Sequence, residues 1–160
     1  TRSYSVTGVQ TCSLPISSYG GYSVFYMAGH HQKRFKAFIS HCGMYNFESF
    51  MGATEETFFP INDLGGAYWD LNNKTAQRSY ANSPHKFVQN WDTPIMIVTG
   101  GKDFRIPYTE SLQAFNAAQL RGIPSKLLFF PEETHFVLKP QNSVLWNREF
   151  FAWFDRWLKK

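Results

Sequence analysis

The sequence predicts an α/β protein in which helices flank a mostly parallel sheet. Two short segments, Pro94–Thr99 and Lys126–Phe130, are continuously apolar or nearly so rather than alternating, the pattern of strands covered on both faces. Each is followed by a longer segment with apolar residues at helical spacing, giving the strand–helix–strand–helix order of parallel sheets. The 160 residues are 43% hydrophobic and 18% charged, which suits one packed domain rather than a disordered chain.

Along the chain, Thr1–Ser17 shows neither a helical nor a strand period and is poor in core residues. The apolar stretch Tyr22–Ala28 follows Gly20-Gly21 and reads as a buried helix start. Phe35–Ile39 is a short strand candidate. Phe58 to Pro84 is rich in Gly, Asn, Asp and Pro and reads as an inserted loop region in which Phe58, Phe59, Tyr68 and Trp69 recur. Pro94–Thr99 is expected to be a central strand. A helix over Thr109–Arg121 places Leu112, Phe115 and Ala118 on an apolar face, and Gly122 and Pro124 end it. Lys126–Phe130 is expected to be a second buried strand, closed by Pro131. The last helix, Gln141–Leu158, carries Phe150, Phe154, Trp157 and Leu158 on the face meant for the sheet. Three strands are few for a doubly wound sheet, so residues 18–160 are expected to form the C-terminal half of a larger domain.

Composition removes several function classes. Lysine and arginine exceed the acids by +4, but Lys33, Arg34 and Lys36 do not extend into a basic stripe. The aromatics, 18% of residues, fall in core-like runs, so nucleic acid is not an expected partner. No apolar run approaches the roughly 18 residues of a membrane span. Two cysteines cannot make a disulfide scaffold or a four-cysteine zinc site. The stretch from Val6 to Ile16 closely resembles a translated sequencing-library adapter, so residues 1–17 are expected to be a non-native leader, disordered or loosely packed. Cys12 is then not native, and Cys42 has no disulfide partner within the native part.

Three residues fall where strands end. Ser18 lies in Ser18-Tyr19-Gly20-Gly21-Tyr22, a serine followed by glycines directly before an apolar helix, as a nucleophile elbow requires. Such an elbow needs small neighbours because strand and helix approach closely; Gly20 and Gly21 meet this downstream, whereas Ile16 stands upstream where the pattern has Gly. Asp103 follows the central strand in Gly100-Gly101-Lys102-Asp103-Phe104-Arg105, and His135 follows the next in Pro131-Glu132-Glu133-Thr134-His135. Catalytic groups of open α/β sheets collect at the carboxyl ends of strands, and Ser…Asp…His is the chain order of α/β-hydrolases. A serine hydroxyl needs a base to become a nucleophile, a histidine supplies it, and a carboxylate fixes the imidazole tautomer. The backbone N–H of Tyr19 is the candidate oxyanion donor.

Each residue has a plainer reading as well. Asp103 could be a turn residue, and Glu132 and Glu133 could hold His135 in a surface ion pair. All three falling by chance at strand ends in this order is the weaker explanation. The adjacent His30 and His31 are expected to point apart, and neither they nor His41 have a carboxylate or further histidine at ligand spacing, so no metal is expected. Glu55 and Glu56 have no second acidic pair for glycosidase chemistry.

These motifs carry a resemblance. From Ser18 to Lys160 the chain is similar to the C-terminal half of the catalytic α/β-hydrolase domain of the prolyl oligopeptidase family of serine peptidases. The matching segments are Ser18–Tyr22, Gly101–Pro107 and His135–Asn142, the last running into Trp146–Phe151. Thr54-Glu55-Glu56, Phe59-Pro60 and Gly65-Gly66 resemble its dipeptidyl-peptidase 5 branch. The resemblance implies Ser18 as nucleophile, Asp103 as orienting acid and His135 as general base. It implies Tyr19 as oxyanion donor and pocket wall, Met44, Phe47 and Phe50 as apolar walls, and Arg105 and Ile106 as substrate contacts. It implies no cofactor, a short peptide substrate and a bacterial periplasmic setting. Its partners within the parent chain would be a β-propeller and the first half of the hydrolase domain, without which the segment is expected to be inactive. Acylaminoacyl-peptidase, oligopeptidase or carboxylesterase activity on the same fold is the alternative.

Overall fold

The structure is a computed structural model that describes residues 12–159, with side chains from Ser17 onward. Four strands, β1 (Cys12–Ser17), β2 (Phe35–His41), β3 (Ile95–Gly100) and β4 (Ser125–Phe130), form one sheet in the order β1-β2-β3-β4. Every pairing is parallel. The helices are α1 (Tyr19–Ala28), α2 (Phe47–Ala53), α3 (Phe58–Asp63), α4 (Lys74–Ala81), α5 (Tyr108–Leu120) and α6 (Pro140–Leu158), with a 3-10 helix over Pro84–Asn90. Among the described residues no helix is long and apolar enough to cross a membrane.

The period of two within the apolar runs sorts the core into two layers. Phe38, Ile95 and Ile97 face Val24, Phe25 and Ala28 of α1, Trp91, and Ala114 and Ala118 of α5. Ala37, Ile39, Met96 and Val98 face the opposite way, onto Trp153 and the Trp146–Phe150–Phe154–Trp157 stripe of α6. All six residues of β3 are buried, as its uninterrupted apolar sequence requires. Each large side chain so buried contributes about 1.5–3 kcal/mol. Trp153 also ties α6 to the sheet by donating its indole N–H to Phe38 O at 3.1 Å.

Several expectations need correction. Among the described residues the sheet has four strands, one more than the three counted from sequence. Cys12–Ser17, within the stretch read as a leader, runs as β1 beside β2 with Ile16 opposite Ser40; residues 1–11 lie outside the described residues. β4 is not a fully buried strand: among the described residues it pairs with β3 alone, and Phe129 is 40% exposed. The segment from Phe58 to Pro84 is not a loop region but contains α3 and α4, too short to show a period. The Asn73 side chain caps α4 by accepting from Ala76 N–H at 3.1 Å, and Ala76 and Tyr80, one turn apart, are its buried residues. On α5 the fully buried residues are Glu110, Ser111, Ala114 and Ala118; Ala114 and Ala118 let the helix sit close to the sheet, with Phe115 packed beside them.

A third cluster, Met44, Phe47, Phe50, Met51, Ala76, Tyr80 and Ile106, is built from the segments that follow β2 and β3. It roofs the carboxyl end of the sheet, where β1, β3 and β4 deliver Ser18, Asp103 and His135.

Candidate active site

Ser18 is the joint between β1 and α1. Its backbone sits at φ 59, ψ −123, a left-handed conformation that costs a non-glycine residue about 1–3 kcal/mol. Two main-chain bonds hold it there: its N–H donates to His41 O at 2.9 Å, and its carbonyl accepts from Tyr22 N–H at 3.1 Å. The turn works only because α1 and the end of β2 nearly touch. A Cβ on Gly21 would lie 2.7 Å from Gly43 Cα, and one on Gly43 would lie 2.5 Å from Gly21 C. Gly21 was legible as a close-approach residue; its counterpart Gly43 was not. Tyr19 opens α1, so its N–H belongs to the first turn, where helical N–H groups have no partner within the helix.

Asp103 and His135 meet because the ends of β3 and β4 dock closely. Gly101 N–H donates to Phe130 O at 2.8 Å and Lys102 N–H to Glu133 O at 2.9 Å. A Cβ on Gly100 would strike Thr134 O at 2.1 Å. His135 Nδ1 then donates to Asp103 Oδ2 at 2.8 Å. Both residues are buried, 6% and 2% exposed. Oδ1 of Asp103 accepts from the main-chain N–H groups of Arg105 and Ile106 at 3.1 and 2.9 Å. Burial pushes the Asp103 pKa up. The hydrogen bonds from His135 and Ile106 outweigh it and hold the carboxyl below its ordinary value. An ionised Asp103 fixes the proton of His135 on Nδ1 and leaves the Nε2 lone pair available. Among the described residues Ser18 Oγ makes no hydrogen bond, to His135 or to any other group. In unliganded enzymes this bond is often long and closes with substrate.

Sequence reasoning missed two supports. Glu133 does not pair with His135. Its buried carboxylate accepts from Leu138 N–H, Lys139 N–H and Asn142 Nδ2 at 3.0, 3.0 and 2.6 Å, which ties the histidine loop to the start of α6. Glu132 instead pairs with Lys102. Cys42, free and fully buried, has a left-handed backbone (φ 48) and donates its thiol to His135 O at 3.6 Å. Burial and the neighbouring Asp103 carboxylate push its pKa far up, so it is a neutral proton donor.

Donor atoms of Cys42, Asp103 and His135 lie within 4.8 Å of one another, the one such cluster among the described residues. Its chemistry suits a hydrogen-bonded pair better than a cation: the thiol keeps its proton, and the imidazole and carboxylate already bind each other. His41 lies near them; burial and the adjacent His135 lower its pKa to about 4. His30 and His31 point apart, His30 onto Tyr26 O at 2.7 Å and His31 onto Asp92 at 3.1 Å.

Ser18, Tyr19, Met44, Phe50, Arg105 and Ile106 line one cavity of about 70 Å³, together with Glu56 and Phe59. Phe47 lines instead an adjoining cavity of about 370 Å³ that shares Tyr19, Met44 and Phe59. Asp103 and His135 open onto a neighbouring cleft that shares Arg105. Phe59 was not predicted as a lining residue because it arrives from the segment read as a loop region; Glu56, just ahead of that segment, stood out only as half of an acidic pair and in the family resemblance.

Residues 17–160 match the prolyl oligopeptidase family. The chain belongs to that family. It is 56% identical over 144 residues to dipeptidyl-peptidase 5 of Porphyromonas gingivalis, covering 90% of this chain and 21% of that protein. To dipeptidyl-peptidase 5 of Schizosaccharomyces pombe it is 38% identical over 144 residues, covering 89% and 20%. It thus spans about a fifth of the length of the curated relatives it matches. Among solved structures, acylaminoacyl peptidase of Pyrococcus horikoshii superposes with a TM-score of 0.82 at 21% identity, over 92% of this chain and 24% of that one. A puromycin-hydrolyzing peptidase of Mycobacterium tuberculosis gives 0.80 at 23%, over 91% and 22%. These likenesses establish the fold as part of an α/β-hydrolase sheet with its flanking helices.

Proposed function

We propose that this chain is the catalytic-residue-bearing segment of a serine exopeptidase that releases dipeptides from peptide N-termini. Ser18 is the nucleophile, His135 the general base and Asp103 the acid that orients it. The reading is carried by the buried Nδ1···Oδ2 bond of 2.8 Å, made at the same end of the sheet as a strained serine turn. His135 Nε2 takes the Ser18 proton as Oγ bonds to the scissile carbonyl carbon. The developing oxyanion is held by the Tyr19 N–H at the α1 N-terminus; such a donor contributes roughly 3–4 kcal/mol. The imidazolium then protonates the leaving amine as the C–N bond breaks. Water, deprotonated by the same nitrogen, cleaves the acyl ester and restores Ser18. Met44, Phe50 and Ile106 form apolar walls for the residue before the scissile bond, with Phe47 behind them and Arg105 at the rim. The high identity to proteins named dipeptidyl-peptidase 5 supports release of dipeptides over other chemistries.

The proposed partners are the remaining parts of the parent chain, a β-propeller and the first half of the hydrolase domain, which would supply the substrate amine site and the second oxyanion donor. The segment alone is then inactive. The test is to recover the complete open reading frame and assay the protein with free and N-acetylated dipeptidyl-nitroanilides. Cleavage of the free substrates, lost in Ser18→Ala together with fluorophosphonate labelling, is the expected result. Preference for the acetylated substrates would favour an acylaminoacyl-peptidase, and no labelling of Ser18 would remove the peptidase reading. A Ser18-dependent rate from the 160-residue chain itself would overturn its inactivity.

A further inference from the structure

The wall of the Ser18 cavity is apolar except at one side, where Glu56 Oε1 accepts from Arg105 Nε at 3.0 Å. Glu56 is held in place from its own backbone. Its N–H donates to Thr54 Oγ1 at 3.1 Å, the Thr54 hydroxyl donates to Arg105 O at 2.7 Å, and Glu55 N–H donates to Phe104 O at 2.9 Å. The Thr54–Glu56 segment is thus strapped across the loop that carries Asp103. The ion pair engages one of the five N–H donors of the guanidinium. Among the described residues the other four have no partner, and the side chain is 41% exposed.

An arginine with free donors beside a nucleophile would seize a carboxylate, which fits its fork-shaped pair of N–H groups. Glu56 cancels that attraction, and any anion approaching Arg105 must also meet the Glu56 charge. Glu55, which borders the adjoining cleft with Arg105 and His135, has no ion-pair partner among the described residues and adds to the repulsion. Lys102, on that same cleft, is already paired with Glu132. We infer that Glu56 sets charge selectivity at this site: by neutralising Arg105 it confines the Ser18 cavity to uncharged side chains and rejects acidic ones that Arg105 alone would accept. Discrimination of this kind comes from placing a repulsive group against the wrong ligand. The inference rests on the proposed peptidase function.

The test uses the complete protein and dipeptidyl-nitroanilides with Leu or Asp before the scissile bond. The ratio of kcat/KM for Asp over Leu should rise roughly fivefold or more in Glu56→Gln, the scale of one half-exposed charge. It should return towards wild type in Glu56→Asp, and the rise should vanish in Glu56→Gln/Arg105→Gln. Near-UV circular dichroism unchanged from wild type establishes that the variants are folded. An unmoved ratio in a Glu56→Gln protein that still cleaves the Leu substrate overturns the inference, as does an equal rise in the double variant. Failure of the wild-type protein to cleave either substrate is a different result: it defeats the peptidase reading and the selectivity claim with it.

Discussion

At the carboxyl ends of β3 and β4, Asp103 and His135 are fixed by buried hydrogen bonds that lie entirely within this chain: three to the Asp103 carboxylate, three to Glu133, and a thiol from beneath. At the β1–α1 junction, Ser18 is fixed by backbone strain and two main-chain bonds, with its hydroxyl free. The Asp103–His135 pair is a preorganised unit because both residues are largely buried and each oxygen of the carboxylate has a donor. The serine is aimed by the contour of the chain alone, and that contour depends on a glycine-to-glycine contact between α1 and the segment that follows β2. The two regions should therefore fail differently: the first through its side chains, the second through its backbone.

The largest expected effect tests the first region. Asp103→Asn preserves shape but removes the charge that selects the His135 tautomer, and it should lower kcat of the complete protein by about 10⁴-fold. A loss below tenfold would show that His135 is oriented by other groups. The second region should break with a single methyl group. Gly43→Ala places a Cβ against the Gly21 backbone at 2.5–2.6 Å, where no side chain can yield. Urea denaturation should show a loss of about 3 kcal/mol or more, the upper end for overpacking. A neutral Gly43→Ala would mean that the serine turn does not depend on this approach.

The same contrast explains what could be read from sequence. β3 is legible because a strand covered on both faces has no polar position, and Asp103 and His135 stand directly after strands in the order their chemistry needs. β1 is hard to read because Cys12, Leu14 and Ile16 alternate with Ser13, Pro15 and Ser17 over only six residues, one of them a proline; its place comes from backbone pairing with β2. α3 and α4 hide in a turn-rich composition, and with them went Phe59; Glu56, just ahead of α3, carries no sequence signal of the cavity it lines. Gly43 holds the site by contact with Gly21, distant in sequence, and spacing along one chain does not report such a contact; Glu133 bonds to residues only five to nine positions on, but nothing in their types marks them as its partners. Glu133 in particular looks like a solvated acid until its three partners are brought to it by α6.

A smaller effect sharpens the electrostatics around the pair. His41 is tolerated in the fold only as a neutral ring, its pKa lowered to about 4. The unfolded chain protonates it near 6.5, so protons drain the folded state as pH falls through that window. The penalty is absent above pH 6.5 and complete below about 4. Its size is about 3 kcal/mol. His41→Gln should flatten the fall in urea-derived stability between pH 6.5 and 4. The difference between the two proteins isolates His41 from His31 and His85, whose pKa values burial also lowers, and from Glu110, raised by burial, which drives stability the opposite way. Parallel profiles for wild type and His41→Gln would show that the ring is not desolvated by the Asp103–His135 pair and its surroundings.

The smallest effect belongs to a contact that looks similar but is made in water. Lys102 and Glu132 pair across the same β3–β4 docking that joins Asp103 to His135, yet their side chains are 53% and 59% exposed. The attraction gained in a high dielectric is offset by the entropy of holding two long side chains, and salt screens what remains. Glu132→Gln should therefore leave the urea midpoint unchanged within error at physiological salt, while Glu133→Gln, one residue on but buried and bonded to three N–H groups, should lower it clearly. Measuring both variants side by side separates the two carboxylates. An equal loss in the two would mean that the histidine loop is held from its surface and not from the buried contacts that link it to α6.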